Sequence, residues 1–181
     1  SQRTKEPNFI GSAENVVGLQ LMNLNRLEVA AIFLRRAAAH LQAHHPFDEL
    51  AFQYHAYTNF GECYVYLQQP DSAIKLSQMA LTEAQQRGRK RGEANVYWNI
   101  AQAYVLKNEL HKADSAAQKG LALIANTDHV DVAQALTAVL MDIYHKKNNQ
   151  LVADSWLEKG LQLMENTQNT DYARTSFLKK A

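Results

Sequence analysis

Two histidines four residues apart, His40 and His44, lie on one face of a predicted helix, and His45 follows them. Imidazoles at this spacing can chelate a divalent metal ion such as zinc. No cysteine or carboxylate completes a ligand set, because Asp48 lies across a turn, and Leu41 stands where the zinc-protease motif has glutamate. We therefore expect a solvated helix end here, with no bound metal and no other cofactor.

Cys63 is the only cysteine, which excludes an internal disulfide bond and a metal site built from several cysteines. It adjoins a predicted core tyrosine, so we interpret it as a packing residue rather than a nucleophile. The chain contains no nucleophile elbow, no phosphate-binding loop and no glycine-rich dinucleotide motif. We predict that this protein is not an enzyme.

Four basic residues lie close together at Arg87, Arg89, Lys90 and Arg91. Such a cluster can contact phosphate or an acidic partner, although charge runs of this kind are commonly just solvated. No aromatic residues alternate with the basic ones, as a platform for stacked bases would require. The formal net charge is only +1. We therefore expect no direct binding of nucleic acid.

The segment from Tyr104 to Thr127 recurs 40 residues later, from Tyr144 to Thr167. A fixed period between 20 and 50 residues is typical of repeat arrays, which present surfaces rather than enclosed pockets. Eleven residues of the first segment have identical counterparts in the second. They are Tyr104, Lys107, Asn108, Ala113, Asp114, Ser115, Lys119, Gly120, Leu121, Leu123 and Thr127.

The same pattern extends upstream to Tyr64, and a weaker copy opens the chain. The step between the first two copies is 43 residues, and the extra length falls in a turn-like segment at His44–Asp48. We predict a single domain over residues 11–181, after an N-terminal tail at residues 1–10. Its units are predicted at residues 11–53, 54–93, 94–133 and 134–170, with a partial helix at 171–181.

Each unit contains two amphipathic stripes separated by a short polar turn. In the third unit the first stripe comprises Tyr97, Ile100, Ala101 and Tyr104, at the spacing of one helical face. Asp71 is predicted to cap the second helix of unit two. No run alternates apolar and polar residues as a strand would, so the sequence predicts an all-α fold.

The repeats resemble the tetratricopeptide repeat family. Its succession of aromatic, small and tyrosine positions is matched in two units, at Tyr57, Phe60, Gly61, Tyr64, Ala73 and Ala80, and at Tyr97, Ile100, Ala101, Tyr104, Ala113 and Gly120. The resemblance implies a right-handed superhelical stack of four helix-turn-helix hairpins plus a C-terminal capping helix. The usual period is about 34 residues, and longer variants are familiar in bacterial regulators and sensors and in motor-protein light chains.

In this family the first helices of the hairpins line a concave groove, an α-solenoid surface that binds peptides or protein segments. The resemblance assigns nine residues to the groove: Asn15, His55, Asn59, Glu62, Asn95, Trp98, Asn99, Gln102 and Asp142. Asn59 and Asn99 occupy the same phase, so their amides could hold a peptide backbone, and Trp98 would add an apolar contact. Alternatively, Asn59 and Asn99 bridge neighbouring helices and Trp98 belongs to the core.

We therefore expect a protein–protein interaction module, which could serve as the sensing part of a bacterial signalling or transcription regulator. The alternative is a self-association scaffold without a peptide ligand, through an end helix that forms a homodimer. The longest apolar run, Val29 to Leu34, is too short to span a bilayer, so we expect a cytoplasmic protein, or a periplasmic one if a leader was removed. The segment Asp171 to Lys180 is predicted to be helical and to dock around Trp156 and Leu163.

Overall fold

The computed structural model describes residues 6–42 and 53–165, and this part of the chain is entirely helical, without strands. The expected all-α fold is confirmed. The helices pair in chain order into hairpins, each formed by a first and a second helix. They are α1 (Glu6–Asn23), α2 (Leu27–Gln42), α3 (Gln53–Tyr66), α4 (Pro70–Gln86), α5 (Lys90–Leu106), α6 (Leu110–Ile124), α7 (Val130–Lys146) and α8 (Gln150–Glu165).

The chain divides into two compact units, an N-terminal unit (Ser1–Gly88) with α1 to α4 and a C-terminal unit (Arg89–Ala181) with α5 to α8. In the N-terminal unit, α2 packs against α3, and the first helices α1 and α3 touch. In the C-terminal unit, α6 packs against α7 in the same way, and α5 touches α7. In each unit, the first helix of the second hairpin therefore packs against both helices of the first hairpin.

The helix boundaries differ from the sequence prediction in three places. The first helix begins at Glu6, inside the segment assigned to a tail, and α5 and α7 begin four residues before the predicted units do, at Lys90 and Val130. The Asp71 cap was wrong, because Gln69 is the N-cap residue and makes no side-chain cap. Pro70 occupies the first turn, where its missing N–H and fixed φ fit. The predicted segment 171–181 lies outside the described residues.

The turn inside every hairpin is closed in the same way. One residue with positive φ, near +55° to +58°, follows each first helix, and the next residue donates its N–H to the carbonyl five residues earlier. That carbonyl belongs to Leu21 in the first hairpin and to the repeated tyrosine (Tyr64, Tyr104 or Tyr144) in the other three. These two features define the Schellman ending of a helix. Asparagine tolerates this conformation better than most residues. The residues with positive φ are Asn25, Gln68, Asn108 and Asn148.

Close approach of the helices depends on small residues at the crossings. A Cβ atom on Gly18 would lie 2.6 Å from the side chain of Leu34 in α2, and one on Gly120 would lie 2.9 Å from that of Leu136 in α7. Ala113 in α6 is fully buried. The repeated small positions therefore set how closely the helices pack, both within a hairpin and between successive hairpins.

None of the helices within the described residues combines the length and the apolar character that crossing a membrane requires.

Replacing Ala113 by leucine should lower the free energy of unfolding by about 1–3 kcal/mol, because a fully buried site has no room for the larger side chain. Urea unfolding followed by circular dichroism would measure the change. Ala122→Leu, at an exposed position of the same helix, is the matched control and should stay within about 0.5 kcal/mol of the wild type. Equal losses in both variants would contradict this account of the helix crossing.

Candidate functional site

The nine predicted groove residues are divided between the two units. Four of them, Asn15, His55, Asn59 and Glu62, lie on the first helices α1 and α3 of the N-terminal unit. The other five, Asn95, Trp98, Asn99, Gln102 and Asp142, lie on the first helices α5 and α7 of the C-terminal unit.

In the N-terminal unit, the structure joins two predicted residues directly. The amide nitrogen of Asn59 donates a hydrogen bond of 2.9 Å to the Asn15 side-chain oxygen, and both side chains are half-buried. An asparagine side chain carries two donor hydrogens and two acceptor lone pairs. The pair therefore retains donor and acceptor capacity beyond its mutual bond.

Glu62 lies one helical turn from Asn59 on α3 and is also half-buried. Its carboxylate accepts a hydrogen bond of 3.0 Å from the hydroxyl of Tyr66. Burial, followed by the charge of Glu62 and this hydrogen bond, raises the pKa of Tyr66. The phenol therefore stays protonated and remains a donor throughout the physiological pH range.

In the C-terminal unit, the structure corrects two of the expectations. Asn99 is fully buried and Trp98 is 6% exposed. A peptide lying along the first helices could not contact these side chains without rearrangement of the helices, so the amide of Asn99 is not available to hold a peptide backbone. Trp98 is a core residue, as the alternative interpretation held. The repeat position is shared, but its surroundings differ between hairpins.

The remaining three residues of this set are half-buried: Asn95, Gln102 and Asp142. The carboxylate of Asp142 forms an ion pair of 3.3 Å with Lys146 on the same helix. The amide nitrogen of Gln102 is itself buried and forms no hydrogen bond. These side chains supply the polar groups that the first helices of this unit offer.

One polar junction was not predicted from the sequence. Asp114 on α6 accepts hydrogen bonds from the hydroxyl of Tyr144 at 2.9 Å, on α7, and from the ammonium of Lys147 at 2.8 Å, directly after α7. The hydrogen bond from Tyr144 to Asp114 raises the pKa of that phenol. All three residues recur with the 40-residue period, and that recurrence was the available signal.

His40 is engaged in an ionic cluster rather than in a recognisable metal site. Its Nδ1 atom lies 2.7 Å from one oxygen of Glu14, and Arg36 lies 2.7 Å from the other. Glu14 is buried, so these two partners compensate its loss of hydration. Within the described residues no three potential ligands are grouped for a metal ion, whereas His44 and His45 lie outside that part of the chain.

The predicted basic cluster is partly neutralised within each unit. Arg87 pairs with Glu83 one turn earlier in α4, and Arg91 pairs with Asp131 on α7. Arg89 and Lys90 are exposed. Paired and solvated side chains fit the ordinary interpretation of a charge run at a helix end.

Cys63 is a packing residue, as predicted. It is fully buried in a core cluster with Ala30, Leu34 and Phe60, and its thiol donates a weak hydrogen bond to the carbonyl of Leu27 at 3.4 Å. Burial, with smaller contributions from nearby carboxylates, raises the pKa of this thiol to about 11.

Comparison with known proteins points to one repeat family. Residues 52–126 match the family model described as tetratricopeptide repeat. None of the curated proteins matches the chain. Tetratricopeptide-like repeats of a candidate kinesin light chain from Podosopora anserina are 12% identical, with a TM-score of 0.70 over 96% of this chain and 86% of that one.

Two further structures have similar coverage. A single-substitution variant of the same protein gives a TM-score of 0.69, at 12% identity over 96% of this chain and 85% of that one. Pseudomonas aeruginosa pilF is 14% identical over 97% of this chain and 90% of that one, with a TM-score of 0.35. At these identities the first two likenesses concern the fold alone.

The Cys63 thiol should react slowly with iodoacetamide in the native protein. A pKa of about 11, against an ordinary 9.0, lowers the thiolate fraction at pH 8 by about a hundredfold, and burial restricts access further. Mass spectrometry of timed samples would measure the rate. Protein unfolded in guanidinium chloride is the control, and an equal rate in the two states would contradict the buried position.

Proposed function

We propose that this chain, which carries tetratricopeptide repeats in residues 52–126, is an interaction module that binds an extended segment of a partner protein along the first helices of its hairpins. Repeats of this family generally form protein–protein interaction scaffolds, and stacked hairpins offer their partners extended surfaces. We infer that the bound segment is extended from the side chains that the first helices present.

The observation that carries the proposal is the hydrogen-bonded pair of Asn15 and Asn59, which joins two first helices at 2.9 Å. A peptide group has one donor and one acceptor, and each side-chain amide has both. Two linked amides can therefore bind the backbone of a peptide without selecting its side chains. Their mutual bond fixes both amides beforehand, which lowers the entropic cost of binding.

Neighbouring side chains would add selectivity. In the N-terminal unit, His55 and Glu62 are half-buried on the same helix as Asn59. In the C-terminal unit, Asn95, Gln102 and Asp142 have the same intermediate exposure on their own first helices. Groups that are partly exposed can contact a ligand at little cost in desolvation, whereas the buried Trp98 and Asn99 are excluded from this role.

The biological setting is a further part of the proposal. The 40-residue period resembles that of sensing segments in bacterial regulators, and peptide binding would suit a sensing role in the cytoplasm. The pairing of the buried Glu14 with Arg36 and His40 and the raised pKa of Cys63 argue against catalysis at those groups, so we propose that the module binds without chemical turnover.

Self-association is the second candidate function. One observation favours it: α1 exposes several large apolar side chains, with Phe9 at 67% and Val16 at 55% of full exposure. Monomeric proteins rarely leave a contiguous apolar patch of this kind uncovered. An apolar stripe on an end helix is the feature that distinguishes a self-associating scaffold from a pure peptide receptor.

Peptide binding can be tested with a random twelve-residue phage library selected on the immobilised protein. Isothermal titration would compare one selected peptide on the wild type and on the double variant Asn15→Ala with Asn59→Ala. We expect more than tenfold weaker binding, with only a small fall in melting temperature, because one partly exposed hydrogen bond contributes about 1 kcal/mol.

The matched control is Asn126→Ala, at an exposed turn position, which should bind like the wild type. Unchanged affinity in the double variant would rule out the amide pair as the binding element.

A further inference from the structure

The outward surface of α1 is apolar and uncharged. We define the α1 face as Phe9, Ile10, Ala13, Val16, Val17 and Gln20, all of which are exposed. Glu14 is the sole ionisable residue between positions 9 and 24, and it is turned away, buried against Arg36 and His40 of α2. The α1 face is therefore a largely apolar surface that carries no charged side chain.

In later repeats, the residues equivalent to the α1 face pack against a neighbouring helix. Phe60 of α3 is in register with Val17 and packs with Leu34 of α2 in one core cluster. Leu136 of α7 is in register with Ala13, and it is fully buried against α6. In both units, the positions of the α1 face thus receive another helix. The α1 face has the geometry of a helix-docking surface.

We propose that the α1 face docks on the α1 face of a second copy of this chain, around a two-fold axis. An uncharged face can oppose itself without like-charge repulsion, and a two-fold contact closes after two copies. This inference goes beyond peptide binding and rests on the self-association candidate. It specifies the α1 face as the surface for self-association and a second copy of the chain as the partner.

An antiparallel arrangement brings the apolar side chains of the two copies together. With the axis between Val16 and Val17, Val16 faces Val17 of the second copy. Phe9 then faces Leu24 of the second copy, whose side chain is 71% exposed. The small Ala13 lies opposite Gln20, which gives the longer side chain room. The largest exposed groups at both ends of the stripe are covered in this way.

Head-to-tail stacking of α8 on α1 is less favourable, for an electrostatic reason. Between α6 and α7, Asp114 is held by Tyr144 and Lys147. Asp154 is the equivalent carboxylate on α8, whereas Leu24 stands in the position of Lys147 after α1. Stacking would bury Asp154 against leucine, with the amide of Gln150 as its hydrogen-bond donor and no cation beside it. Burying a carboxylate without a compensating positive charge is costly. The two-fold pairing of α1 involves no such charge.

Sedimentation velocity of the 181-residue chain over a range of concentrations tests the proposal. The wild type should dimerise, and Val17→Glu should raise the dimer dissociation constant at least tenfold, because it places carboxylates beside the axis. Leu161→Glu on α8 is the matched control, since Val17 is 40% and Leu161 41% exposed, and it should dimerise normally. Circular dichroism verifies folding, and Ala13→Glu repeats the test at a smaller side chain.

Charge rescue tests the position of the axis. Val17→Glu and Val16→Lys copies should each associate weakly alone and should associate strongly when mixed, because the glutamate of one copy then meets the lysine of the other. A mixture that stays monomeric overturns the proposed axis. Dissociation by Leu161→Glu but not by Val17→Glu overturns the α1 interface in favour of α8.

A wild-type chain that remains monomeric at millimolar concentration overturns the proposal altogether. That result is distinguishable from failure of peptide binding, because the Asn15 and Asn59 variant is measured separately on the selected peptide. A monomer that still binds the peptide would reject the dimer and leave the proposed function in place.

Discussion

Close helix packing at positions without side-chain volume is the constraint on which the rest of this structure depends. Leu34 fits against Gly18, and Leu136 fits against Gly120. A larger residue at Gly18 would push α1 away from α2, and one at Gly120 would push α6 away from α7. The bond between Asn15 and Asn59 or the contacts of Asp114 would then lengthen. The hydrogen bond between Asn15 and Asn59 and the junction at Asp114 therefore both rely on apolar packing that recurs along the chain.

Much of the fold could be predicted from the sequence because identical residues at a fixed spacing identify the repeat. Tyr104 and Tyr144 mark the ends of first helices, where their carbonyls accept the bond that closes the turn. Helix starts were less predictable, because α4 to α7 have no side-chain cap to mark them. Asp71 resembled a cap in sequence, yet Pro70 had already begun the helix.

The candidate site was predictable by position but not by exposure. Asn59 and Asn99 occupy the same place in the repeat, and only Asn59 is accessible, since Asn99 is enclosed in its own unit. The exposure of a side chain depends on the helices packed around it, and the residue pattern of a single repeat carries no information about those neighbours. The bond between Asn15 and Asn59 joins residues 44 positions apart, so it too required the packed hairpins to be seen.

Peptide binding along the first helices is tested most directly by nuclear magnetic resonance of the side-chain amides during titration with a selected peptide. We expect the NH₂ resonances of Asn15 and Asn59 to shift together and saturably, while those of the exposed Asn126 stay unchanged. Shifts confined to other asparagines, with Asn15 and Asn59 unaffected at saturation, would contradict the claim that partners bind along the first helices.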